Sequence, residues 1–139
     1  MLSNLKDSTK AQKAIIERLK KIRKESGSNR IGFVAGKLSS KKLLDTIKNF
    51  IALNNSVKYV KRNINFPIVS SLDFFFSTIL IKLTSSEKIN QDLWEKILKS
   101  GYITDIFMAP GWEESKGAVN EHQIAKKSGL KITYLHYSN

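Results

Sequence analysis

The sequence contains no cysteine. A disulfide framework and a thiolate metal site are therefore both excluded, and the absence fits a cytosolic chain. Histidine is nearly as scarce: His122 and His136 are the only two, too few for a persuasive metal site. Long hydrophobic runs are also missing. The longest uncharged apolar stretch, Phe74 to Ile81, is far short of the roughly 20 residues that cross a bilayer, so a membrane is not among the expected partners. The opening MLSNLKDSTKAQK is polar and lacks the uninterrupted apolar core of a signal peptide. Acidic residues are few, with 12 Asp and Glu against 24 Lys and Arg.

The resulting charge of +12 creates a field that attracts polyanions, including nucleotides and nucleic acids. A lysine-rich solvated surface from a compositionally biased genome accounts for the same charge, and composition leaves the two readings open. The 139 residues suit one domain, and 41% hydrophobic with 26% charged residues suits a folded chain.

Along the chain, Ala11, Ile15, Ile16, Leu19 and Ile22 recur at three- and four-residue spacing and predict a helix over 4–25. Residues 1–25 hold eight basic side chains against three acidic ones, so the helix is amphipathic and basic. The apolar stripe needs burial whatever the other face does, which favours docking with a solvated basic face over nucleic-acid binding. After the linker ESGSNR, the run Ile31–Gly36 predicts a buried strand. Ser39 or Ser40 is placed to cap a helix reaching about Leu53. Ser56–Lys61 alternates enough to predict a second strand. Ser70-x-x-Asp73 resembles a capping box that opens a helix running on to Leu83. Further elements follow: a helix over 87–99, a strand over 102–109, a helix over 116–127 and a closing strand over 131–136.

Strands alternating with helices imply a mostly parallel sheet, here of four or five strands, covered on both faces. The expected fold is an α/β three-layer sandwich of Rossmann or flavodoxin-like type. Residues 1–30 form a basic helix and linker ahead of a domain over 31–139. Such sheets bind ligands at the carboxyl ends of their strands, which puts the loops after Ala35 and Ala109 on one rim.

The stretch from Asp105 to Ala125 is the most informative. A strand enters the Pro110-Gly111 turn, and Ser115 is placed to cap the next helix. Gly117 in the first turn costs helix stability, about 0.5–1 kcal/mol relative to alanine, which points to close approach of something. Exposed N–H groups and the helix dipole suit that end to a phosphate or sugar oxygen. Glu121 shares a helical face with Gly117, Ala118 and Ala125; by itself it reads more readily as an exposed helical glutamate than as a catalytic one. His122 points about 100° away from Glu121, which suggests a surface role.

The pattern Asp-x4-Pro-Gly-Trp-x-x-Ser-x-Gly-Ala-x-x-Glu-x-x-x-Ala-x-x-x-Gly-Leu, Asp105 to Leu130, resembles a family of small phage and bacterial proteins with the nucleoside 2-deoxyribosyltransferase-like fold. Its Ser-x-Gly-x-x-x-Glu core also looks like that of the 2′-deoxynucleoside 5′-monophosphate N-glycosidases. The resemblance implies an N-glycosidase or deoxyribosyltransferase acting on a deoxynucleoside or its monophosphate. Glu121 would be the nucleophile and Asp105 a second catalytic residue. Ser115, with the backbone near Gly117, would bind the sugar 5′-oxygen or its phosphate; Gly111 and Trp112 would border the pocket. Gly36, Lys37 and Ser39 would supply the other half of the substrate site, although Phe33-Val-Ala-Gly-Lys-Leu-Ser-Ser lacks the family's Gly-Pro or Gly-Ser turn. No cofactor is expected, and a homodimer or higher homo-oligomer is. The alternative is a non-catalytic nucleotide- or nucleic-acid-binding protein on the same fold. Gly36-Lys37 is not a phosphate-binding P-loop, because Leu38 replaces Ser/Thr and Ile31 stands at the first glycine. The cytokinin-activating phosphoribohydrolase motif does not match either, since its Glu falls closer to the Pro-Gly turn.

Overall fold

A computed structural model describes residues 2–38, 40–74 and 87–137. In chain order these form α1 (Leu2–Ser26), β1 (Gly32–Ala35), α2 (Leu43–Asn63), β2 (Ile68–Ser70), α3 (Glu87–Leu98), β3 (Asp105–Met108), α4 (Lys116–Ser128) and β4 (Lys131–Tyr134). The four strands make one parallel sheet in the order β2-β1-β3-β4. The expected α/β three-layer sandwich is observed, with β1 and β3 at the centre.

Side chains alternate across the sheet as the pleat requires. Phe33, Ala35, Val69, Ile106 and Met108 join a core with α1, α3 and α4, whereas Val34, Ile68 and Phe107 join Leu53, Val57 and Val60 of α2. The stripe Ala11, Ile15 and Leu19 is buried in the first of these cores, with Ile16 and Ile22 packed against it. Burial of roughly 25 cal/mol per Å² of apolar surface fixes α1 on the sheet layer through α3.

Two elements depart from the sequence reading. Residues 56–61 are not a strand: α2 continues unbroken to Asn63. Val57 and Tyr59 imitate a two-residue alternation, but Leu53, Val57 and Val60 are the buried set, and their spacing is that of a helix. The second strand lies instead at Ile68–Ser70, directly after Pro67, whose carbonyl accepts the Gly32 N–H at 2.9 Å. Proline is tolerated there because the strand has not yet begun. The start of α2 also differs, since Lys42 is its N-cap and makes no side-chain cap. Ser40 is tied to Thr46 ahead of the helix. Ser39 lies outside the described residues.

The Ser70–Asp73 box is present: Asp73 accepts the Ser70 N–H at 2.7 Å, and Ser70 Oγ accepts the Leu72 N–H at 3.2 Å. It leads into a short 3-10 turn over Ser71–Phe74. The helix expected to run on to Leu83 lies, from Phe75, outside the described residues.

Candidate functional site

In the order β2-β1-β3-β4 the chain leaves β1 toward one side and β3 toward the other, so the carboxyl ends of these neighbours splay apart. A crevice of about 200 Å³ opens there, lined by Gly36 and Lys37 after β1, Ala109, Pro110, Gly111 and Glu114 after β3, and Asn49, Ala52 and Ser56 of α2. The rim expected from the sequence therefore exists. A Cβ on Gly36 would sit 3.0 Å from Ala109 Cβ and 3.1 Å from Leu53 Cδ1, so close packing of the two loops explains that glycine. Lys37 Nζ reaches Glu114 Oε2 at 3.1 Å across the opening. Both side chains are exposed, and such a pair contributes at most about 1 kcal/mol.

Gly111 turns the chain with φ of +84°, a left-handed conformation that favours glycine. A 3-10 turn over Trp112–Glu114 then delivers Ser115 to the N-cap of α4, where its Oγ accepts the Ala118 N–H at 3.3 Å. The expected cap is observed, and the Ser115 hydroxyl keeps its own proton to donate. Gly117 has open surroundings: a Cβ there would meet only Ser115 Oγ, at 3.8 Å. No neighbouring described atom requires glycine at this position.

Glu121 is half-buried one turn beyond Gly117. Ala118 and Ala125, three residues before and four after, are 2% and 0% exposed. The glutamate thus sits at the margin of the inward face of α4. It is not among the residues lining the crevice.

Asp105 is separated from the others. It is the first residue of β3, at the amino end of the sheet, whereas Pro110 and Ser115 follow the carboxyl end. Its buried carboxylate receives Arg30 Nη2 at 2.7 Å, Arg30 Nε at 3.3 Å and the Thr104 hydroxyl at 2.6 Å. Burial pushes its carboxyl up, but these hydrogen bonds and the Arg30 charge outweigh that and hold it below the usual range. A strand of this length spans about 13 Å, so Asp105 stands at the opposite end of β3 from the crevice, held there by Arg30 and Thr104.

Trp112 both walls and packs. It lies against the core under α4 and borders a larger depression of about 930 Å³ with Met108, Pro110, Tyr134 and Tyr137. Its ring centroid is 4.4 Å from that of His122, and His122 Nε2 is 2.7 Å from the Tyr134 hydroxyl. Burial, then the Lys126 charge, lower the His122 pKa, so the ring is held neutral. The sequence did not reveal this trio, because Tyr134 arrives from a strand that only folding brings alongside. Ser56 and Tyr137, whose hydroxyls hydrogen-bond across the end of the sheet, were missed for the same reason.

Among the described residues no group of three or more His, Asp or Glu is placed to hold a metal, and no helix is long and apolar enough to cross a membrane. The family model described as Domain of unknown function (DUF4406) matches residues 33–134. The chain belongs to this family. The DUF4406 match runs from within β1 to the last residue of β4, so it takes in the crevice lining from Gly36 to Glu114 together with Ser115 and Glu121, and leaves α1 and Tyr137 outside. No curated protein and no solved structure matches the chain.

Proposed function

We propose that this chain is an N-glycosidase or deoxyribosyltransferase that acts on a deoxynucleoside or deoxynucleoside monophosphate through Glu121. One observation carries the reading: the crevice wall at Glu114 runs directly into the Ser115-capped start of α4, on which Glu121 follows Gly117 by one turn. Glu121 lies about 9 Å along the helix axis from Ser115 at about 1.5 Å per residue, a span that a deoxyribose with its 5′-phosphate and the glutamate side chain bridge together. The resemblance of the Ser115-x-Gly117-x-x-x-Glu121 spacing to known N-glycosidases agrees with that placement.

In the proposed reaction a Glu121 oxygen bonds to the anomeric carbon as the bond from that carbon to the base nitrogen breaks. The electron pair leaves with the base, which takes a proton from water. The glycosyl ester is then opened by water or by a second base. Ser115 and the first N–H groups of α4 hold the 5′-oxygen or phosphate. Lys37, weakly held by Glu114, supplies a cation at the same rim.

The test is a panel of deoxynucleosides and deoxynucleotides assayed for free base. The wild-type protein releases base from at least one of them, and Glu121→Gln reduces that release by about a thousandfold or more, since an amide cannot form the ester. Base release by Glu121→Gln at the wild-type rate rejects the assignment.

A second reading, a nucleic-acid-binding protein, draws on the charge of +12 and the exposed Lys10, Lys13 and Lys24 of α1. Its signature would be binding that falls steeply with salt as counterions are released.

A further inference from the structure

In a chain with 24 basic residues and 12 acidic ones, the depression of about 930 Å³ at the ends of β3 and β4 is an exception. Among the described residues no lysine or arginine lines it; Glu113, His136 and the rings of Trp112, Tyr134 and Tyr137 do. Glu113 is exposed and forms no ion pair among the described residues. Its neighbour Glu114 is taken up by Lys37 on the crevice side. The two cavities share Pro110, Gly111 and Tyr137 as a wall, so the lysine belongs to one cavity and the uncompensated carboxylate to the other.

The rings are fixed before anything binds. Trp112 is backed by His122, with centroids 4.4 Å apart, and Tyr137 is stacked on Tyr59 at 4.7 Å. Each of these two rings has one face covered by protein and the other left for the depression it lines. The Tyr134 hydroxyl is held by His122 Nε2 at 2.7 Å, and the Tyr137 hydroxyl by Ser56. Burial keeps His122 neutral, so the ring behind Trp112 adds no positive charge. Trp112 and Tyr134 are inclined by only 31°, with centroids 6.1 Å apart. They make one broad wall, not the upright box that would enclose a tetrahedral ammonium.

The face of an aromatic ring is its negative side and attracts cations. A carboxylate beside such faces adds a full charge of the same sign. We infer that this depression binds a flat heteroaromatic cation, its ring stacked on Trp112 and Tyr134 and its charge matched by Glu113. The volume lies in the range of small-molecule pockets, about 300–1,000 Å³. The overall charge of +12 opposes a cation at long range, but salt screens it beyond about 8–10 Å, and the groups in contact decide. The inference stands independently of the catalytic reading, since it uses neither Glu121 nor the crevice.

Isothermal titration calorimetry of the full chain with 1-methylquinolinium, and with uncharged quinoline as its matched control, tests it. The cation binds with a Kd below about 1 mM and about tenfold more tightly than quinoline. Glu113→Gln weakens the cation by about fivefold and leaves quinoline unchanged. The substitution lies on an exposed turn, so the circular dichroism spectrum stays the same. Proton NMR locates the ligand: the indole N–H of Trp112 shifts, and that of Trp94, 4% exposed in the core, does not. Absence of binding overturns the inference. So does quinoline that binds as tightly as the cation, an affinity for the cation that survives Glu113→Gln, or a Trp112 signal that does not move. None of these outcomes bears on base release, which is measured separately.

Discussion

Arg30 and Asp105 are joined by two hydrogen bonds, of 2.7 and 3.3 Å, that tie the linker after α1 to the start of β3. The Asp105 side chain is 3% exposed and that of Arg30 is 48% exposed, so one end of the pair is buried and the other reaches water. The guanidinium also lies 4.2 Å from the centre of the Phe66 ring. The same arginine therefore pins the chain segment that precedes β2.

Asp105→Asn should lower stability by about 2 kcal/mol, less than the loss expected for a wholly buried pair because Arg30 remains half-solvated. The folded carboxyl lies below its ordinary value, so its contribution is full above about pH 4 and is lost as pH falls through the folded value. Thermal melts from pH 7 to pH 2.5 should show the wild-type advantage over Asp105→Asn shrinking at the acidic end. Base release at neutral pH, measured below the melting range, should survive the substitution.

Gly117→Ala should act in opposite directions on stability and function. With open space at the Cβ position, alanine raises helix stability by about 0.5–1 kcal/mol. If a ligand lies against the start of α4, the added methyl weakens its binding, seen as a higher KM. A stabilised variant with unchanged KM would remove Gly117 from the substrate site.

His122 should titrate below its ordinary value of 6.5. For a base held neutral by burial, stability is full above the unfolded pKa and falls as pH drops through the folded pKa. Proton NMR of the ring follows this directly, and the emission of the adjacent Trp112 should change over the same pH range. Tyr134→Phe, which removes the 2.7 Å hydrogen bond, should alter the His122 titration without unfolding the protein.

Leu19→Ala should cost about 2–4 kcal/mol, because the side chain is fully buried. Urea denaturation measures it. Replacing Lys10, Lys13 and Lys24 by Glu should leave the midpoint nearly unchanged, and is the cleaner way to test a basic face for nucleic-acid binding than removing the helix.

What the sequence made legible was whatever depends on short spacing. The stripe Ala11–Ile15–Leu19, the Ser115 cap and a strand within 102–109 are local patterns, and each is observed, the strand shortened to Asp105–Met108. The stretch 56–61 misled because six residues hold too few periods to separate a helix from a strand, and only Leu53 upstream decides it. Glu121 and Ser115 were legible as neighbours on one helix. The distance of Asp105 from them was not legible, since the sequence reading placed it inside a strand over 102–109 and the structure begins β3 at Asp105 itself. The contacts Lys37–Glu114 and His122–Tyr134 join segments remote in the chain, and no local pattern encodes them.

The position of α1 also has a consequence for synthesis. It is made well before α3, the helix it packs against, which begins at Glu87, about sixty residues after α1 ends. At roughly 5–20 residues per second, Ile15 and Leu19 wait several seconds on the ribosome before their partner exists. Until then the apolar stripe of α1 stays uncovered, so this segment is the part of the unfinished chain most open to association through transiently exposed apolar surface.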